Sequence, residues 1–176
     1  MAPARRPIVG GNWKCNPSGL SQLDDLIKNI NACDTSKCDV YVCPSTLHVP
    51  YVVPKITNGA LVTPQDCNPK GCGAFTGSMA VAQMKDMGMT QVMIGHSERR
   101  GEFGIFKMDD DATLAAKLKC VLDAGMSCVF CIGEPKEACQ RRCARASPSC
   151  FGWSSVRNYH KSSVGCAPSQ GSFRFL

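Results

Sequence analysis

Five short apolar runs punctuate the chain: Pro7–Trp13, Asp39–Cys43, Ala60–Thr63, Gln91–Gly95 and Cys128–Gly133. Each is rich in Val, Ile or Cys, and most are continuous rather than alternating. Continuous runs of this length predict parallel strands buried on both faces. Helical spacing fills most of the intervals. Leu20, Leu23, Ile27 and Ile30 recur every three or four residues and predict a helix with Ser18 as N-cap. Leu114, Leu118, Val121 and Leu122 predict a second, closed by Gly125 at the position after the C-cap. Ser78–Met87 predicts a weaker, Met-rich helix that stops at Gly88. Pro44, Pro50 and Pro54 make the crossover after the second run irregular.

Strand, helix and strand in repetition mean βαβ units. The pattern by itself fits a doubly wound sheet or a barrel. It ends near Ala138. Residues 138–176 hold Val156, Val164 and Leu176 as their large aliphatic residues and show neither apolar period. Such a segment buries too little surface to offset its ordering entropy. The expected division is an α/β domain over 1–137 and a basic Ser/Cys/Arg-rich tail over 138–176, disordered or read in a shifted frame.

Charge sharpens that division. The net charge is +6, which first suggests nucleic acid or a membrane surface. Six basic residues and no acid follow Glu137, so residues 1–137 carry equal numbers of each sign. The tail lacks regular aromatic interleaving and zinc-ligand spacing with His, so no nucleic-acid partner is expected. No run of 18 apolar residues occurs, so no membrane span is expected. Arg5 and Arg6 precede no apolar stretch of the secretory kind, and the expected compartment is the cytoplasm. Of the thirteen cysteines, those inside apolar runs, such as Cys43, Cys128 and Cys131, read as small buried hydrophobes. Cys128 and Cys131, three apart on a strand, point to opposite faces and are poorly placed to share a metal or a disulfide.

Two motifs carry chemistry. Gly10-Gly11-Asn12-Trp13-Lys14-Cys15-Asn16 follows the first predicted strand, and Ile94-Gly95-His96-Ser97-Glu98-Arg99-Arg100 follows the fourth. Both lie at strand C-terminal ends, where an α/β barrel keeps its active site. The paired glycines let backbone approach a ligand closely. A Lys there is a point charge suited to an anionic ligand and to negative charge that develops in a reaction. In order and spacing the two motifs resemble triosephosphate isomerase over about residues 5–137.

That resemblance implies a (β/α)8 barrel, of which about five βα units are present; a complete one needs about 250 residues. It implies interconversion of dihydroxyacetone phosphate and D-glyceraldehyde 3-phosphate through an enediolate, in glycolysis and gluconeogenesis, with no cofactor and no metal. Asn12 and Lys14 match substrate-binding residues, and Lys14 and His96 match catalytic ones. In this family the His is a neutral electrophile, a known instance of pKa tuning rather than a deduction from spacing; a helix start behind it disfavours the imidazolium. Glu98 reads as structural, bridging Arg99, Arg100 or Lys14. Gly71–Gly77 resembles the loop that enters the partner's site in the family homodimer, with Thr76 as its contact residue. Cys131 reads as structural.

The chain also departs from the pattern. After Gly77 it reads Ser78-Met79-Ala80, and after Phe103-Gly104 it reads Ile105 where the family has an acid. Arg99 and Arg100 are therefore expected to be short of partners. The family's Ala-Tyr-Glu-Pro-Val-Trp segment, whose Glu is the base, has no counterpart in the sequence. Negligible isomerase activity is the expectation, with a non-catalytic half-barrel interaction module as the alternative.

Overall fold

The computed structural model describes residues 6–101 and 109–133, and the backbone of a two-residue strand near the C-terminus. Expectations about the rest of the tail lie outside the described residues. The elements run β1 (Ile8–Asn12), α1 (Ser21–Asn31), β2 (Asp39–Cys43), α2 (Val49–Val52), β3 (Leu61–Val62), α3 (Val81–Asp86), β4 (Gln91–Ile94), α4 (Asp111–Asp123), β5 (Ser127–Phe130) and β6 (Arg174–Phe175). Single 3-10 turns occupy Val53–Lys55 and Ser97–Arg99. All five predicted strands form.

Every ladder is parallel. β1 pairs with β2 from Ile8 opposite Asp39 to Asn12 opposite Cys43, and β2 pairs with β3. β4 pairs with β5 from Gln91 opposite Ser127 to Ile94 opposite Phe130. Met93 N donates to Pro64 O at 2.8 Å and joins the two ladders just past β3. The strands therefore stand in chain order, and their C-terminal ends share one rim.

Side chains alternate across this sheet and make two cores. Leu23 and Ile27 of α1, Val49 and Val52 of α2, Val81 and Met84 of α3 and Val121 of α4 pack on Val62, Val92, Ile94 and Cys128. On the other face Tyr41, Cys43, Met93, Val129 and Cys131 form a second cluster, with Leu61 against it. Cys128 and Cys131 thus fall in different clusters, as their spacing requires. Burying each large aliphatic side chain contributes about 1.5–3 kcal/mol, so the helix layer is the main source of stability.

Several expectations need correction. Ser18 does not cap α1; Leu20 does, with helical dihedrals and no side-chain bond, because the Gly19 and Leu20 carbonyls already accept from Gln22 N and Leu23 N. α3 begins at Val81, three residues late. Gly77 takes φ 80° and Ser78 N closes a turn on Phe75 O, so the chain turns before it can wind. Leu122 is exposed and Lys117 takes a buried place on the inner face of α4. β1 is not buried on both faces: Ile8 and Val9 are exposed, since β2 is its ladder neighbour on one side and no strand of the described residues lies on the other. On its other side β5 pairs in parallel with the backbone of β6, Val129 opposite Arg174. Unpaired N–H and C=O groups on a strand edge accept any extended segment that reaches them.

Candidate active site

β1 ends at Asn12, and the next two residues turn sharply. Lys14 has φ 55°, the left-handed region that a non-glycine residue occupies at a cost of about 1–2 kcal/mol. Two bonds to its backbone hold it there. Asn12 Oδ1 accepts from Lys14 N at 2.9 Å, and Gln65 Nε2 donates to Lys14 O at 2.8 Å. The same Gln65 nitrogen donates to Cys43 O at 2.8 Å, so the ends of β1 and β2 are pinned by one side chain. The Lys14 ammonium reaches Glu98, in the turn that follows β4.

β4 ends at Ile94, and Gly95 makes the bend at φ 79°. A side chain at Gly95 would meet Cys131 O at 3.0 Å and Arg100 Nη2 at 3.1 Å, so glycine is required on both counts. The turn Ser97–Arg99 follows. Glu98 N donates to His96 Nδ1 at 3.2 Å. A neutral ring in this geometry carries its hydrogen on Nε2, because Nδ1 is the accepting nitrogen. Glu98 Oε1 lies 2.7 Å from Lys14 Nζ, and its other oxygen 3.6 Å from His96 Nδ1. One carboxylate thus brings the two sequence motifs together.

The arginines do not lack partners, contrary to expectation. Arg99 Nη2 lies 2.7 Å from Asp66 Oδ2. Arg100 Nε donates to Gly95 O at 2.8 Å and Nη2 to Cys131 O at 3.1 Å, with Asp111 at 3.5 Å. Acids from the loop after β3 and from the start of α4 thus pair with the two arginines. Arg100 also ties the ends of β4 and β5 together.

Gly10 serves packing rather than ligand approach. A side chain there would overlap the Tyr41 ring, whereas one at Gly11 would meet nothing within 4 Å. Cys131 is buried, and burial pushes its thiol up to about 11, with Arg100 pulling the other way. Its thiolate is scarce at neutral pH, which suits a structural part. Thr76 is exposed, and among the described residues no hydrogen bond joins it to the Asn12–Lys14–His96 cluster. Gln65 and Asp66 were missed from sequence. Their signal was their place, two polar residues directly after the third apolar run.

No group of His, Cys, Asp and Glu among the described residues could hold a metal ion. No helix of the described residues is long and apolar enough to cross a membrane.

Known proteins carry the same sequence pattern. The family model described as Triosephosphate isomerase matches residues 7–148, running past the compositional change near Ala138. The triosephosphate isomerase of Bradyrhizobium diazoefficiens is 36% identical over 136 residues, which take in 76% of this chain and 53% of the relative. The chain spans about half the length of that relative. With parallel strands in chain order and both motifs on one rim, the chain belongs to the triosephosphate isomerase family.

Proposed function

We propose that this chain carries the cationic and electrophilic half of a triosephosphate isomerase site on an incomplete (β/α)8 barrel. The observation that carries the reading is the Glu98 N–H on His96 Nδ1, which leaves Nε2–H as a neutral donor. In the isomerisation of dihydroxyacetone phosphate and glyceraldehyde 3-phosphate, a proton moves between adjacent carbons and negative charge develops on the two oxygens. A neutral imidazole aimed at those oxygens stabilises the enediolate without first protonating it. Lys14 supplies a fixed positive charge for the phosphate and for that developing charge. Its pair with Glu98 is half-exposed, the two side chains 48% and 36% accessible. Such a pair is worth about 0–1 kcal/mol, so Lys14 turns to an anionic ligand at little cost. Asn12 holds the Lys14 backbone and lies beside the substrate.

The base is a separate matter. Glu98 lies against Lys14 and is not a suitable one, and no other segment of the 176 residues resembles the family's base motif. A positioned base contributes about 10²–10⁴-fold. The 176-residue chain by itself therefore turns over negligibly. Activity requires a base-bearing second half, with Thr76 meeting a second copy if the homodimer forms. An interaction module would have no use for the strained Lys14 and the fixed tautomer of His96.

The test is a coupled isomerase assay on the 176-residue chain and on residues 1–133 joined in frame to the second half of the Bradyrhizobium relative. The chain alone should be at least a hundredfold slower than the fusion. His96→Ala and Lys14→Ala should each abolish the activity of the fusion. Turnover of the unfused chain within tenfold of the fusion, or full activity in either variant, overturns the reading.

A further inference from the structure

Four charges lie beside the site and take no part in the chemistry above. Lys117 projects from α4 with its side chain 5% exposed. Its ammonium lies 2.7 and 2.9 Å from the two oxygens of Asp66 and 2.7 Å from Asp109 Oδ1. Asp66 is 14% exposed and Asp109 1%. Arg99 Nη2 completes the set at 2.7 Å from Asp66 Oδ2. Two cations face two carboxylates. The contacts run from α4, through the loop after β3, to the turn that carries the donor to His96.

Such a cluster is a poor way to stabilise a fold. The desolvation of buried ions offsets much of their attraction, and apolar replacements are often as stable. What a buried network supplies is fixed placement. The turn it reaches needs that. Ser97–Arg99 is one 3-10 turn, closed by Arg99 N on His96 O at 2.8 Å and Arg100 N on Ser97 O at 3.0 Å. Its middle residue donates the 3.2 Å bond that sets the His96 tautomer. A small displacement of the turn breaks that bond and lets the ring proton move between nitrogens. The Glu98 carboxylate ties the turn to Lys14, but that pair is half-exposed and weak. Asp66, paired with buried Lys117, is the firmer of these two contacts.

We propose that Asp66, fixed by Lys117, is a positioning residue for His96. It holds the Ser97–Arg99 turn through Arg99 and so keeps the ring proton on Nε2. The inference rests on the role proposed for His96. Neither Asp66 nor Lys117 belongs to the two motifs at the rim. The family motifs read from sequence do not include them, and a structural role alone would tie α4 to the sheet without affecting the imidazole.

The test reads His96 itself. Long-range proton–nitrogen spectra of the ¹⁵N-labelled 176-residue chain report which ring nitrogen is protonated, with His96→Gln giving the assignment. Exchange of the Glu98 amide with solvent reports the bond. Unsubstituted chain should show Nδ1 bare, Nε2 protonated and the Glu98 amide protected. Arg99→Gln and Lys117→Met should each average the two nitrogens and speed Glu98 exchange at least tenfold, and Lys117→Arg should restore the original pattern. Folded Arg99→Gln and Lys117→Met chains that keep the parent pattern overturn the inference, whatever their melting temperatures. If Lys117→Met does not fold, Arg99→Gln decides alone, since it leaves the Lys117–Asp66–Asp109 contacts in place. If the unsubstituted chain already averages its tautomers, the reading of His96 falls by itself, and this inference with it.

Discussion

Adding one methyl group at Gly10 should unfold more of this protein than its size suggests. The ideal Cβ of an alanine there falls inside the Tyr41 ring, overlapping Cζ, Oη and Cε1. Carbon atoms rest at about 3.5–4.0 Å, so the ring must retreat by more than about 1 Å. It has nowhere to go. Tyr41 is 4% exposed and packs with Cys43, Met93, Val129 and Cys131. Overpacking a filled core costs about 1–3 kcal/mol, and a rigid ring wedged between strands puts Gly10→Ala at the upper end. Gly11→Ala is the internal control. Its Cβ would meet nothing within 4 Å, so reduced freedom of the unfolded chain should leave it unchanged or more stable by about 0.4–1 kcal/mol. The two neighbours should differ by about 2–4 kcal/mol, given those two ranges. Urea unfolding followed by circular dichroism measures both. Trimming the ring in Gly10→Ala/Tyr41→Val should recover part of the loss. Equal stability of the two alanine variants would refute the packing account of Gly10.

Thiol chemistry gives a second prediction. Burial pushes Cys43, Cys67 and Cys128 up to about 12, so pulsed alkylation at pH 8 read by mass spectrometry should label exposed Cys15, Cys33 and Cys72 well before them. Rapid native-state labelling of Cys43 would contradict the core assignment. These raised values also set a pH dependence: the unfolded chain loses thiol protons first, so stability should hold below about pH 8.5. It should then fall as pH rises from the ordinary thiol value of 9.0 toward about 12, seen as a declining urea midpoint. At the exposed edge, Val9→Lys should reduce self-association in light scattering, because a charge on an apolar strand edge discourages pairing with other chains. Unchanged scattering would mean that β1 is not the contact.

The strands were legible in the sequence because a strand buried on both faces has no polar positions to interrupt it. The second, third and fourth runs are buried or half-buried along their length, as is the fifth as far as Cys131, and their order follows from the βαβ repeat. The two motifs were legible because short consecutive stretches set the local backbone: the bend at Gly95 and the turn after His96 are made by neighbours in the chain. Helix starts were less so. Whether Ser18 or Leu20 caps α1 depends on which carbonyls are already used, and one side chain cannot report that. The strands' neighbours decided the rest. Tyr41 explains Gly10 from thirty-one residues away, and Asp66, thirty-three residues before Arg99, pairs with it. Gln65 joins the Lys14 turn to β2. Sequence by itself determined the parallel α/β architecture and the residues at its rim, since these depend on local spacing and on burial averaged over a run. Tertiary structure alone decided which charges pair, which glycine is a packing necessity and which carboxylate joins Lys14 to His96, since each depends on atoms that only the folded chain brings within a few ångströms.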